Sequence, residues 1–184
     1  KQLAAKNVSY GIITQEDEEL YAYAYRLLLS VLMSAVSFLL LGALFQRFLP
    51  TVFFIAAFPI LRTFAGGIHA SSYGKCYVYS LLFYALVIIL CNLAVKSGKI
   101  LDTFAIFLLS VSIIMLLAPV EDRNKPLSSQ EFKRYRRITR IILLVEVVVA
   151  FGMMLSNFNP TCSIFFMAGP ISETVLLLMA KINW

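Results

Sequence analysis

Tyr77-Val78-Tyr79-Ser80-Leu81-Leu82-Phe83-Tyr84-Ala85-Leu86-Val87-Ile88-Ile89-Leu90-Cys91-Asn92-Leu93-Ala94-Val95 carries nineteen residues without a formal charge. That is close to the roughly 20 residues a helix needs to cross a bilayer core. The apolar residues run on continuously and leave no spacing for a wet face. Five more such runs flank it: Tyr25–Phe45, Pro50–Ala65, Ile100–Ala118, Ile138–Leu155 and Thr161–Ala180. The run from Pro50 is short and contains Pro59, which predicts a helix that ends or kinks within its leaflet.

Composition agrees with the runs. Hydrophobic residues make up 60% of the 184, charged residues 14%, and mean hydropathy is +0.84. A soluble domain would carry about a quarter charged residues. The expected fold is therefore an all-α integral membrane protein, a single polytopic domain over 1–184 with about six transmembrane helices. The acidic stretch Glu16-Asp17-Glu18-Glu19 ahead of the first run is the wrong flank for an export signal. No internal repeat or low-complexity segment is visible.

The net charge of +6 invites a nucleic-acid reading, but the positions of the basic residues point to the bilayer. Arg123, Lys125, Lys133, Arg134, Arg136, Arg137 and Arg140 cluster over 119–140, from the end of the fourth run into the start of the fifth. With that segment in the cytoplasm, both termini are inside, and only Arg47, Lys96 and Lys99 of the sixteen Lys and Arg fall outside. The three cysteines, Cys76, Cys91 and Cys162, form no disulfide framework and read as free thiols.

Two helix starts are written locally. Thr14-Gln15-Glu16-Asp17 has the form of a capping box with acidic residues in the first turn. It opens an N-terminal interfacial amphipathic helix that brings Tyr21, Tyr23 and Tyr25 to headgroup level. Ser128 and Glu131 form a second box, and the basic helix after it continues into the fifth span.

The chemistry lies just before the quoted run, in the polar island Arg62-Thr63-Phe64-Ala65-Gly66-Gly67-Ile68-His69-Ala70-Ser71-Ser72-Tyr73-Gly74-Lys75-Cys76. Cys76 falls in the first turn of the third span's helix, where unpaired N–H groups, the positive dipole end and neighbouring Lys75 favour the thiolate nucleophile. His69, the chain's lone histidine, is the candidate base. On a continuous helix the two would lie roughly 10 Å apart along the axis. Gly66-Gly67, Ser71-Ser72 and Tyr73-Gly74 are turn chemistry, and a folded-back loop can close that gap to about 3 to 4 Å. The bland alternatives are a small apolar residue at a helix end and an interfacial histidine without a task. No metal is expected, since one histidine and one cysteine cannot fill a zinc shell.

Other island residues leave alternatives open. Gly66 and Gly67 either let the chain leave the second span or let backbone N–H groups approach an oxyanion. Arg62 can orient the loop, pair with an acidic substrate group, or snorkel to the interface. Glu146 and Glu173 lie at similar depth, roughly 12 to 14 Å inside their spans. They either line one cavity or hydrogen-bond between helices. Gly169-Pro170 predicts a bend nearby.

Taken together, these residues resemble the accessory gene regulator B (AgrB) family of Gram-positive quorum-sensing membrane endopeptidases. The likeness rests on Arg62, Gly66-Gly67, His69 and Cys76 in R-x3-G-G-x-H-x6-C, on the loop Ala118–Leu127 with its basic continuation, and on the six runs. It covers nearly the whole chain. The resemblance implies a catalytic loop over 62–76 and a basic loop over 119–137, both cytoplasmic, with Cys76 and His69 catalytic. It implies cleavage of an AgrD-type precursor peptide through a thioester, releasing a thiolactone or lactone macrocycle without a cofactor. Arg62, Gly66, Gly67 and Lys75 would support substrate or oxyanion, and Arg134, Arg136 and Arg137 would hold the precursor's acidic tail. Expected partners are that precursor and the lipid bilayer. A homodimer fits the family but has no signature in these residues. The competing reading is a non-catalytic transporter or scaffold, in which Cys76 is dispensable and Glu146 or Glu173 matters more.

Overall fold

The computed structural model of the chain describes residues 2–67, 73–121 and 127–182. Residues 1–37 and 38–184 form two compact units. Regular structure among the described residues is helical, apart from one isolated parallel bridge.

The first unit holds α1 (Gln2–Ser9) and the first part of α2 (Glu18–Leu44). The short helix α1 lies outside the expected runs because it is too short and polar to register as one. Its stop signal was nevertheless present. Gly11 takes φ 68°, and the amides of Gly11 and Ile12 bond back to the carbonyls of Val8 and Asn7. That is a Schellman ending, which favours glycine. Asn7 then donates to the Tyr25 hydroxyl at 2.6 Å. The expected Thr14 capping box does not form. Thr14 donates its hydroxyl to the Asp17 carboxylate at 2.6 Å, and the helix starts later, at Glu18. A carboxylate is the stronger acceptor, so the side chains satisfy each other and leave the backbone to begin the helix by itself.

The second unit begins with the end of α2 and continues through α3 (Phe48–Ala65), α4 (Tyr73–Lys96), α5 (Ile100–Leu117), α6 (Ser129–Leu155) and α7 (Pro160–Ile182). Six helices, α2 to α7, are long and apolar enough to span a membrane. Their outer faces match lipid: Leu82, Leu86, Leu90 and Leu93 form an exposed stripe on α4 at helical spacing. The protein is an all-α, multi-pass membrane protein.

Within this unit α7 is the central helix. Its membrane window is 72% buried, against 17 to 33% for α3 to α6. Membrane helices associate through close packing, since lipid tails are as apolar as leucine. Gly169 provides that closeness: a Cβ there would sit 2.7 Å from Ala57 Cβ and 3.1 Å from the Phe58 amide nitrogen. Gly169→Val should therefore force α3 and α7 apart and cost about 1 to 3 kcal/mol, read as a lowered thermal midpoint in detergent. On another face of α7, Thr174 donates to the Ser110 carbonyl of α5 at 3.2 Å.

Helix α3 passes through Pro59 without ending, so of the expected end or kink the end is not seen. Its packing against α7 holds it through the missing amide. Helix α7 likewise continues through Pro170. The second capping box forms as expected: Glu131 N–H donates to Ser128 Oγ at 3.2 Å, and Ser128 N–H to Glu131 Oε2 at 2.9 Å. The basic segment is consequently mostly helix, since everything from Ser129 onward belongs to α6.

Candidate functional site

The island is a break between two helices. Arg62 lies in the last turn of α3, and Cys76 is the fourth residue of α4. Between them, Gly66 and Gly67 take φ 86° and 108°, which turns the chain out of α3. These positive angles suit glycine because it has no Cβ to clash. His69 and its neighbours 68–72 lie outside the described residues, as do Arg123 and Lys125.

The reversal is anchored on the α5–α6 connection at Val120, far away along the chain. Val120 N–H donates to the Ala65 carbonyl at 2.9 Å, and Gly67 N–H to the Val120 carbonyl at 3.3 Å, forming the parallel bridge. The two stretches that carry the family likeness are thus stitched together by backbone. A Cβ on Gly66 would overlap the Val120 carbonyl oxygen, so contact as well as dihedral calls for glycine here. The Gly66 N–H bonds back to the Arg62 carbonyl at 3.3 Å. Both glycine amides thus donate to protein carbonyls.

Beneath the bridge lies a small apolar cluster of Leu61, Ala65, Ile114, Ala118, Leu143 and Leu177. It joins the same ends of α3, α5, α6 and α7. Phe64 meets Tyr135 edge-on at 5.5 Å and adds a side contact between α3 and α6.

Arg62 does not snorkel. Its Nη1 donates to the Gly66 carbonyl at 2.7 Å and faces Glu173 Oε1 of α7 at 3.6 Å. The carboxyl is fully buried and Arg62 is 18% exposed. Of its three readings, the one that orients the loop matches the contacts. Gly67 shares in this arrangement, because a Cβ on it would collide with Arg62 Nη1. Glu146 of α6 is also buried and lies within electrostatic reach of Glu173.

Cys76 is a free thiol and partly exposed, whereas Cys91 and Cys162 are buried in the core. Lys75 beside it is exposed. The basic trio divides. Arg134 and Arg137 are exposed, but Arg136 is half-buried with its Nε shielded from solvent. Arg136 shares a helix face with buried Thr139, Leu143 and Glu146, because steps of three and four return to one side. It therefore faces the bundle, contrary to its expected place beside the other two.

Comparison with known proteins adds a family to this geometry. The family model described as Accessory gene regulator B matches residues 1–177. A protein provisionally named AgrB-like protein 2, from Clostridium perfringens strain 13, is 28% identical over 158 residues, covering 80% of this chain and 74% of its own. An AgrB-like protein from Clostridium perfringens strain SM101 is 26% identical over 147 residues, covering 72% and 67% respectively. No solved structure matches the chain.

Proposed function

Because the chain belongs to the accessory gene regulator B family, a peptide-processing family of the quorum-sensing accessory gene regulator system, we propose that it is a cysteine endopeptidase acting on an AgrD-type precursor. The observation that carries this reading is Cys76. It is free and partly exposed in the first turn of α4, immediately after a polar island that breaks the helix. The other two cysteines sit where no peptide reaches them.

In this reading His69 takes the proton from the Cys76 thiol, and the thiolate attacks a backbone carbonyl of the precursor. The C–N bond breaks, His69 returns its proton to the departing amine, and the acidic tail leaves. Cys76 is then a thioester. An internal thiol or hydroxyl of the precursor gives its proton to His69 and attacks the same carbonyl, the C–S bond breaks, and a thiolactone or lactone ring departs as the Cys76 sulfur takes that proton back. A thioester keeps the acyl group activated, so ring closure needs no nucleotide. The thirteen basic residues on one side, against Arg47, Lys96 and Lys99 on the other, support a site facing the cytoplasm at a Gram-positive cell membrane.

Arg134 and Arg137 are the exposed cations for the tail. Reversing both to glutamate should lower kcat/KM for a tailed precursor about tenfold at low salt, with less effect at high salt. Arg136→Glu should instead impair folding, since it puts a second acid on the face that carries Glu146. Initial rates against salt concentration, with melting curves, separate the two.

Intact mass spectrometry tests the whole reading. Purified protein mixed with a synthetic AgrD-type precursor should gain the mass of the N-terminal acyl fragment on Cys76, removable by hydroxylamine. Cleavage without such an adduct, or cleavage retained in Cys76→Ala, would sink the peptidase assignment and favour a scaffold or transporter.

A further inference from the structure

Glu173 is a fully buried carboxyl on the central helix. Neither of its oxygens makes a hydrogen bond among the described residues. The charge that faces it is the Arg62 guanidinium, whose Nη1 stands between Glu173 Oε1 at 3.6 Å and the Gly66 carbonyl at 2.7 Å. One nitrogen thus stands against a carboxylate of α7 and the carbonyl of the residue just past α3. The carbonyl belongs to the residue whose close approach to Val120 forms the bridge.

We propose that Glu173 is a positioning residue: it draws the Arg62 guanidinium inward against the Gly66 carbonyl, and so holds the chain reversal that leads to Cys76. The inference rests on the peptidase reading for its effect on turnover, but not for its effect on the reversal itself.

Without an acid on α7, Arg62 has another place to go. It lies in the last turn of α3, and a long cationic side chain at a helix end reaches readily for the interface. A buried carboxylate opposes that, because breaking a buried pair leaves a charge uncompensated. Once the guanidinium swings out, the Gly66 carbonyl loses its charge-assisted donor. The reversal is then held by two long backbone hydrogen bonds at Gly66 and Gly67 and one shorter bond from Val120. Gly67 fits the same scheme, as its lack of a side chain leaves room for Nη1. Glu146 supplies a second acid near Glu173 but has no contact with the reversal among those described.

Hydrogen exchange on the full-length protein in detergent gives the direct readout. Glu173→Gln should speed exchange about tenfold or more in peptides covering 65–67 and 119–121, with α5 and α7 unchanged. Glu173→Asp, which keeps the charge, should restore much of the protection. Turnover of a synthetic AgrD-type precursor should fall about 10-fold to 100-fold in Glu173→Gln through kcat, with KM little changed, as expected when reacting groups are displaced slightly. A cycle completes the test. If Glu173 acts through Arg62, then Arg62→Gln/Glu173→Gln is no slower than Arg62→Gln alone. That comparison still decides if Glu173→Gln fails to fold, because the double variant buries no unpaired charge. Multiplying losses, or unchanged exchange at 65–67 and 119–121, would overturn the proposal. A wild-type protein that forms no Cys76 adduct would instead defeat the peptidase reading, leaving the exchange result to stand by itself.

Discussion

Replacing Cys76 with alanine should abolish precursor cleavage and the acyl adduct together, while the protein still inserts and melts as the wild type does. The side chain is partly exposed in the first turn of α4 and fills no core space, so its loss carries little structural penalty. The effect on rate should be total within detection, because no other thiol can reach a peptide: Cys91 and Cys162 are buried. Cys76→Ser keeps the size but offers an oxygen far less ionised at neutral pH, and should be nearly as slow. His69→Ala should slow acylation by about 100-fold to 10,000-fold, the usual span for losing a general acid–base group. Single-turnover acylation followed by mass spectrometry measures all three. A scaffold or transporter would tolerate each of them.

The second large effect belongs to a residue with no side chain. Gly66 combines φ 86° and ψ −144°, a region populated almost only by glycine, and occupying it with another residue costs about 1 to 3 kcal/mol. Gly66→Ala adds a Cβ that overlaps the Val120 carbonyl oxygen. That oxygen is backbone and cannot rotate away. The junction should open, with loss of the two bridging hydrogen bonds at about 1 kcal/mol each. The expected outcome is a total near 3 to 5 kcal/mol of local destabilisation and a fall in turnover of about 100-fold or more. Gly67→Ala should be milder, because its new methyl meets a side-chain end, Arg62 Nη1, and not backbone. Gly74→Ala provides the contrast: it is helical with nothing within 4 Å, and a gain of about 0.5 to 1 kcal/mol is expected. Thermal melts and hydrogen exchange at 65–67 rank the three. Equal behaviour of Gly66→Ala and Gly74→Ala would remove the bridge from the account.

The spans, the Ser128 box and the island's break were legible because each is decided within one or two helical turns. Uncharged length sets a span, a serine and a glutamate three apart set a cap, and paired glycines permit a reversal. Local reading went wrong where a nearby competitor intervened, as at Thr14, whose hydroxyl went to the Asp17 carboxylate. It missed α1, although Gly11 marked the end. A sign of the central role of α7 was also there, in Ser163, Gly169, Ser172 and Thr174 spread around one apolar run, but small polar residues mark a packed membrane helix only statistically.

By itself the sequence determined that this chain lives in a membrane, which six stretches span it, and that Cys76 falls in the first turn of one of them. Only the tertiary structure decided which way Arg62 turns, that Glu173 faces it, that Arg136 parts from Arg134 and Arg137, and that the glycine reversal rests on Val120. The physical reason is separation along the chain. Helix ends and apolar runs depend on neighbours a few residues away, whereas Arg62 is oriented by an acid on α7 and the reversal by a carbonyl beyond α5, and those partners exist only once the helices have packed.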